Sequence, residues 1–277
     1  MKRIYYISGI LIVIVCISLY ILKLTRFALH SNSSDNQDQD IEAVSLTDIE
    51  AVSLTDIEAV SLTDIEAVSL IDIVSPECSS MLKNLHVEGS SELVANSHQG
   101  DVLLLHGAAF TSETWKSIST IKILSAQGFR VIAVDLPGYG KTPALTADDP
   151  SKDKFIGCVL EKFELDHPFL VAPSMSGEYA IPFVLEHFQQ LAGFVPIAPT
   201  TATSIDPNRY ERISLPTLIL YGSQDKAGQE VSKKYISKIP QSTIYEVSNA
   251  GHPCYMDNPK EFHVQLVKFL MKYRRRN

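Results

Sequence analysis

The 277-residue sequence contains only four cysteines, and no two of them form a CxxC pair. Cys16 lies within an apolar amino-terminal run, which leaves Cys78, Cys158 and Cys254 as an odd number in the rest of the chain. Zinc sites and disulfide frameworks both need cysteines in sets of recognisable spacing, and neither is predicted here. The cysteines therefore do not indicate an oxidising or a reducing compartment.

The chain also lacks a basic stripe, and its formal net charge is -8. We interpret the terminal KYRRRN as a cationic helix end and tail. The stretch GYGKT at 138–142 is similar to the end of a phosphate-binding loop, but Asp135 occupies the place of the required first glycine. The glycine spacing of a dinucleotide fingerprint is missing as well. The sequence predicts no nucleic-acid partner, no nucleotide cofactor and no metal.

A long apolar run occurs once, at residues 4–22, and it is interrupted only by two serines and one glycine. As a helix it would reach about 28 Å, which is roughly the thickness of the hydrocarbon core of a bilayer. A cleaved signal peptide is the alternative, but its apolar part would be shorter, and Lys23 and Arg26 follow here instead of a small-x-small cleavage site. The run therefore predicts an amino-terminal membrane anchor within residues 1–30.

The orientation of this anchor rests on weaker signals. Two basic residues precede the run and two follow it, so the positive-inside rule gives no decision. The free amino group and the acidic stretch after residue 34 favour a cytoplasmic amino terminus. The prediction is a single-pass type II membrane protein whose folded domain is luminal or extracellular, with the cytoplasmic side as the alternative.

An octad repeat, IEAVSLTD, occurs four times between Ile41 and Asp72, and its last copy reads IEAVSLID. A period of eight fits neither the heptad nor the eleven-residue helical repeat, and the apolar positions do not stay on one face of a strand. Each copy carries one glutamate, one aspartate and no base, so the repeat accounts for the whole net charge of -8. We interpret residues 31–78 as an acidic solvated spacer, with a partner-binding repeat as the alternative.

From about residue 100, short apolar runs alternate with longer amphipathic stretches. Six runs that are rich in valine, isoleucine and leucine predict buried strands: DVLLLHG, FRVIAVDLPG, HPFLVAPS, AGFVPIAPT, LPTLILYG and STIYEVS. Helix candidates lie at 112–127, 152–164, 176–190, 228–239 and 259–272. The alternation predicts an α/β fold over residues 79–277, with a mostly parallel sheet covered by helices on both faces.

Functional groups in such a sheet collect beyond the carboxyl ends of the strands, and one strand here is followed by two serines, in APSMSGEY. A nucleophile elbow is so tight that the residues two before and two after its centre must be small. Around Ser174 these are Ala172 and Ser176, whereas around Ser176 one of them is the bulky, anionic Glu178. Ser174 is therefore the predicted nucleophile, and an ordinary helix-capping serine pair is the alternative.

Two candidate partners follow later strands of the predicted sheet. Asp225 lies in YGSQDKAG and His252 in AGHPCY, and the chain order Ser, Asp, His is that of α/β-hydrolase triads. His252 would accept the proton of Ser174, while Asp225 would hold the imidazole in the required tautomer. An oxyanion hole needs two backbone donors, and we expect them at Met175, next to the nucleophile, and at Ala108 in the HGAAF turn.

Taken together, the stretches HGAAFTSETW, DLPGYGKT, APSMSGEY, GFVPIAPT, YGSQDKAG and AGHPCYMDNP resemble the α/β-hydrolase domain-containing protein 14 family. The resemblance runs from about residue 100 to residue 272, and the apolar run makes the chain look more like the membrane-anchored A member than the soluble B member. It implies a nucleophile at Ser174, an acid at Asp225 and a base at His252.

The activity implied by the resemblance is that of a serine hydrolase acting on small acyl esters or amides through an acyl-enzyme. Two alternatives stay open: an acyltransferase that passes the acyl group to a thiol such as coenzyme A, and an adaptor or binding protein on a hydrolase scaffold.

Only about sixteen residues, 201–216, separate two predicted strands where many relatives insert a helical lid. We therefore expect no large lid domain, and a shallow, open site that takes a small acyl substrate or an acylated partner. Cys254 is interpreted as part of the pocket wall, Trp115 as a helix anchor, and His106 as a residue that shapes the turn after its strand.

Overall fold

The structure is a computed structural model, and it describes residues 75–89, 99–147, 149 and 151–274. The predicted membrane anchor, residues 1–30, and all of the acidic spacer, 31–78, except its last four residues lie outside these ranges. The boundaries between anchor, spacer and folded domain therefore stay predictions.

Seven strands in the described part form one sheet: β1 (Val87–Gly89), β2 (Gly100–Leu104), β3 (Phe129–Val134), β4 (Phe169–Pro173), β5 (Gly193–Ile197), β6 (Thr217–Gly222) and β7 (Ser242–Val247). Their order is β1-β3-β2-β4-β5-β6-β7. β1 pairs antiparallel with β3, and the other neighbouring strands are parallel.

The α-helices are α1 (Pro76–Met81), α2 (Glu113–Ser117), α3 (Thr120–Ala126), α4 (Phe155–Lys162), α5 (Gly177–His187), α6 (Lys226–Lys234), α7 (Cys254–Asp257) and α8 (Pro259–Tyr273). Short 3-10 turns connect several of them, including two at Thr201–Ser204 and Pro207–Arg212 between β5 and β6.

The central strands are buried on both faces, as their continuous apolar sequences predict. Successive side chains of a strand point to opposite faces, so β2 and β4 each contribute to two cores. Leu103 and Leu170 join one core with residues of α4 and α5. Val102 and Val171 join the other with residues of α2, α3 and α8. The predicted α/β-hydrolase fold, with a mostly parallel sheet, helices on both faces and no large lid, is confirmed.

Three local features differ from the sequence-based elements. The predicted helix 112–127 is two helices, because Ser119 adopts the left-handed conformation, φ 65°, between them. α6 begins two residues earlier than expected, because the Asp225 side chain caps it by accepting a hydrogen bond from Gly228 N. The edge strand β1 is only three residues long and gives no period-two signal that sequence analysis can use.

A disulfide joins Cys78 of α1 to Cys158 of α4, 80 residues apart in the sequence. Sequence analysis predicted no disulfide framework, because this separation follows no recognisable cysteine spacing. The bond depends on the packing of α1 against α4, where the two Cα atoms are 5.1 Å apart. Cys254 is free and buried.

The expected single-pass type II membrane placement is corrected here. Within the ranges that the structure describes, no helix is long and apolar enough to cross a bilayer. The longest of those helices, α8, has 15 residues, against the roughly 20 that a span requires. Residues 4–22, on which the expectation depended, lie outside the described ranges.

Candidate active site

The turn after β4 holds Ser174 in a strained backbone conformation. Its φ is 51°, in the left-handed region that non-glycine residues rarely adopt, and a 3-10 turn over Ser174–Ser176 leads from it into α5. Ala172 is fully buried below the turn. The Ser176 hydroxyl donates to the Pro173 carbonyl at 2.8 Å and is buried, so only the half-buried Ser174 presents a hydroxyl outward.

The three residues predicted as nucleophile, base and acid lie in one hydrogen-bonded line. His252 Nε2 is 2.8 Å from Ser174 Oγ, and His252 Nδ1 is 2.7 Å from Asp225 Oδ2. Because a carboxylate only accepts hydrogen bonds, Nδ1 carries the proton and Nε2 is left to accept from the serine hydroxyl. The His252 side chain is 45% exposed and that of Asp225 only 8%, so the imidazole is reachable and the carboxylate is covered.

The position of Asp225 follows from the way α6 begins. Asp225 is the N-cap residue, and its Oδ1 accepts from Gly228 N at 2.9 Å while Oδ2 faces His252. A Cβ on Gly228 would lie 2.2 Å from Asp225 Oδ2 and 2.7 Å from Ala198 Cβ. Glycine is therefore required at this position if both carboxylate oxygens are to keep their partners.

The loop that carries His252 is fixed by backbone contacts on both sides. Gln224 N donates to Ala250 O at 2.9 Å, and Gly251 N donates to Asp257 Oδ2 at 2.7 Å. These bonds tie the loop to the end of β6 and to α7. The imidazole is thus placed by the fixed loop together with its own hydrogen bond to Asp225.

A third turn meets Ser174 from the end of β2. A Cβ built on Gly107 would lie 3.6 Å from Ser174 Cβ and 3.5 Å from Tyr255 Oη, so the backbone of Gly107 runs directly beside the nucleophile. Ala108 follows Gly107, and Met175 follows Ser174. The backbone amides predicted as oxyanion donors therefore both belong to residues adjoining this contact.

Trp115 and Cys254, the two side chains interpreted as scaffold, are both fully buried. Trp115 Nε1 donates to Leu105 O at 2.8 Å, and its ring stacks on Tyr255 at 4.8 Å, which anchors α2 to the sheet. Burial raises the pKa of Cys254 to about 12, and Asp257 and Asp225 add to the rise. The thiol is therefore neutral at physiological pH and unsuited to act as a second nucleophile.

Sequence analysis did not single out Gly228 or Tyr255. A glycine three residues after the candidate acid, in DKAG, is the signal that could have identified the first. Nothing in the sequence distinguishes Tyr255 from other core aromatics, because its proximity to Gly107 arises only in the fold.

Other features of the described surface do not compete with this site. A concavity of about 410 Å³ is lined by Gly157, Leu160, Glu161, Leu165, Asp166, His167 and Gln190. It lies at the amino end of β4, whereas Ser174 follows the carboxyl end of that strand, and its lining contains no serine, threonine or cysteine that could act as a nucleophile. In the described residues, no group of three or more histidine, cysteine, aspartate or glutamate side chains is arranged to hold a metal ion.

Comparison with known proteins agrees with the fold. A sequence profile of the α/β hydrolase family matches residues 102–181. Protein ABHD14A of Danio rerio is 43% identical over 173 residues, which cover 62% of this chain and 64% of that relative's length. The human protein named "Putative protein-lysine deacylase ABHD14B" is 40% identical over 173 residues, which cover 61% of this chain and 82% of that relative.

A solved structure shows the same fold. The crystal structure of a "predicted CIB-like hydrolase" from Thermoplasma acidophilum superposes with a TM-score of 0.61 at 26% sequence identity, covering 68% of this chain and 98% of that one. The fold, the family profile and the extent of identity to its relatives converge. This chain belongs to the α/β-hydrolase domain-containing protein 14 family of α/β hydrolases.

Proposed function

We propose that this chain is a serine hydrolase that cleaves small acyl esters or amides through an acyl-enzyme on Ser174. The observation that carries the proposal is the hydrogen-bonded line from Ser174 Oγ through His252 to Asp225, with distances of 2.8 and 2.7 Å. A protein that only binds a partner needs neither this line nor a strained serine at the end of a strand.

The chemistry assigns one role to each group. Ser174 Oγ attacks the acyl carbonyl while its proton passes to His252 Nε2, and Asp225 stabilises the resulting imidazolium. The backbone N–H groups of Ala108 and Met175 bind the oxyanion of the tetrahedral intermediate. His252 then protonates the leaving alcohol or amine, and a water molecule repeats the sequence on the acyl-enzyme to release the acid and restore the serine.

The segment between β5 and β6 favours a small acyl group. It contains two short 3-10 turns in place of an inserted lid, and Tyr210 of the second turn is buried with its hydroxyl donating to Ala202 O at 3.2 Å. This segment is therefore packed down onto the domain, and we expect no enclosed channel for a lipid chain. The name of the human relative refers to protein-lysine deacylation, so an acylated lysine side chain is the first amide to test.

The test is a substrate panel assayed with the wild type, Ser174→Ala and Ser176→Ala. The panel contains an acetyl ester, a long-chain triglyceride and an acetyl-lysine peptide, with and without coenzyme A as acceptor. We expect hydrolysis of the acetyl ester by the wild type, loss of at least a thousandfold in Ser174→Ala, and near wild-type turnover in Ser176→Ala, whose hydroxyl bonds only to the Pro173 carbonyl.

Two results would reject the proposal. One is turnover that survives in Ser174→Ala, and the other is complete inactivity of folded wild type toward every member of the panel, which would favour the adaptor alternative. Faster hydrolysis of the triglyceride than of the acetyl ester would reject the small-acyl part alone. Acetyl transfer that requires coenzyme A would identify the acyltransferase alternative.

A further inference from the structure

His106, the last residue before the turn beside Ser174, is buried and has both ring nitrogens in hydrogen bonds. Leu136 N donates to Nε2 at 2.9 Å, and Nδ1 lies 2.9 Å from the carbonyl oxygen of Gly107. A backbone N–H can only donate and a carbonyl oxygen can only accept, so Nε2 is unprotonated and Nδ1 carries the proton. The tautomer of His106 is therefore determined by its partners.

Burial keeps this ring neutral. It lowers the pKa of His106, against the opposing effects of the Gly107 carbonyl and the Asp135 carboxylate. Neutrality is required, because protonation at Nε2 would point a second N–H at the Leu136 amide.

The carbonyl that His106 binds is fixed by a second donor. Phe110 N donates to Gly107 O at 3.1 Å and closes a four-residue turn from Gly107 to Phe110. With two donors from different directions, the Gly107 carbonyl has a single orientation. The described part of the chain contains no cis peptide bond, so the N–H of Ala108 points opposite to this carbonyl.

We infer that His106 is a positioning residue for the oxyanion hole. By holding the Gly107 carbonyl toward the protein interior, its Nδ1–H directs the Ala108 N–H outward, toward the developing oxyanion on the acyl group bound to Ser174. This inference rests on the proposed function of Ser174. It assigns to His106 a role in the transition state that a merely structural core histidine would not have.

The two hydrogen bonds of His106 can be removed separately. In His106→Asn, the side-chain amide N–H takes the place of Nδ1–H and keeps the bond to Gly107 O, but Leu136 N loses its acceptor. In His106→Gln, the side-chain amide oxygen takes the place of Nε2 and keeps the bond from Leu136 N, but Gly107 O loses its donor. His106→Asn and His106→Gln therefore each lose one buried hydrogen bond and form a matched pair. Both are assayed on the acetyl ester beside the wild type and Ser174→Ala.

We expect kcat to fall roughly tenfold to a hundredfold further in His106→Gln than in His106→Asn, because only the glutamine variant releases the Gly107 carbonyl. The KM of the two variants should agree within about threefold, since the oxyanion forms only in the transition state. The Ki of a trifluoromethyl ketone analogue of the substrate should rise in parallel with the loss of kcat. Equal kcat in the two variants, or a larger loss in His106→Asn, would overturn the inference.

A measurement on the unaltered protein covers the case in which neither variant folds. Nitrogen-15 NMR of the wild-type histidines at pH 8 should show a His106 ring with a protonated Nδ1 and a bare Nε2. The opposite tautomer would overturn the inference. Persistent activity of Ser174→Ala would instead reject the proposed function, so the two failures are distinguishable.

Discussion

His252 Nδ1 lies 2.7 Å from Asp225 Oδ2, so the tautomer of the imidazole depends on a carboxylate that only accepts hydrogen bonds. In Asp225→Asn, the amide can donate to Nδ1 and so favour the wrong tautomer, in which Nε2 carries the proton. We expect kcat to fall by on the order of 10⁴ with little change in thermal stability. Steady-state kinetics on the acetyl ester and a thermal melt measure both quantities.

Asp206→Asn is the matched control for this variant. Asp206 is also an N-cap residue, and its Oδ1 accepts from Asn208 N at 3.0 Å. An asparagine can keep the capping bond at either position. The control should keep wild-type kcat. A comparable loss of kcat in both variants would show that altered helix capping, and not the tautomer of His252, causes the loss.

Gly228 is the position where a single methyl group should damage the site most. A Cβ there would lie 2.2 Å from Asp225 Oδ2 and 2.7 Å from Ala198 Cβ, so Gly228→Ala must displace the carboxylate. We expect kcat to fall at least a hundredfold and the free energy of unfolding to fall by about 1–3 kcal/mol. Denaturant titration and kinetics on the same preparation test this.

Gly157→Ala provides the comparison in α4. Its Cβ would meet Phe183 Cε2 at 3.7 Å, an ordinary contact, and alanine is favoured over glycine within a helix by up to about 1 kcal/mol. This variant should be active and equal to or more stable than the wild type. Similar losses in both glycine variants would refute the packing argument at Gly228.

His263 should make stability depend on pH. Burial lowers its pKa to about 4, and its Nε2 is 2.8 Å from Thr120 Oγ1 in the interface between α8 and α3. The unfolded chain, with a histidine pKa near about 6.5, binds the proton more readily than the folded protein. The neutral His263 ring therefore contributes its full share to the free energy of unfolding above about pH 6.5. This contribution falls by up to roughly 3 kcal/mol as the pH decreases toward 4.

Denaturant titrations of the wild type and His263→Gln at several pH values between 4 and 8 measure this effect. Glutamine can reach Thr120 but does not titrate, so the variant should show a smaller loss of stability over that interval. Parallel pH profiles for the two proteins would mean that other groups cause the acid sensitivity.

The bond between Cys78 and Cys158 should stabilise the folded domain. It closes a loop with a sequence separation of 80, for which the loss of unfolded-chain entropy is worth about 2–5 kcal/mol. A double variant, Cys78→Ser and Cys158→Ser, should melt at a lower temperature than the oxidised wild type. Dithiothreitol should lower the melting temperature of the wild type and leave that of the double variant unchanged; an unchanged wild type would contradict the prediction.

The parts of the fold that the sequence predicted best are those with a strong local pattern. The strands that became β2 to β7 are apolar runs bounded by glycine, proline or aspartate, and their carboxyl ends carry the candidate site residues. The choice of Ser174 over Ser176 followed from the size of the side chains around each serine, which is a local property.

What the sequence did not yield depends on contacts between distant segments. The pairing of Cys78 with Cys158 requires α1 to pack against α4, and the need for glycine at 228 follows from the approach of Ala198. The break between α2 and α3 at Ser119 involves neither glycine nor proline, so no local sequence signal predicts it. The membrane expectation rested on apolar length alone, and no helix in the described ranges has that length.

In the proposed mechanism Ser174 is the nucleophile and His252 activates it. The most direct measurement is labelling of the intact protein with a fluorophosphonate, followed by mass spectrometry of its peptides. We expect one adduct, on Ser174, formed by the wild type and by Ser176→Ala, and strongly slowed in His252→Ala. An adduct on any other residue, or labelling of Ser174 at an unchanged rate in His252→Ala, would contradict it.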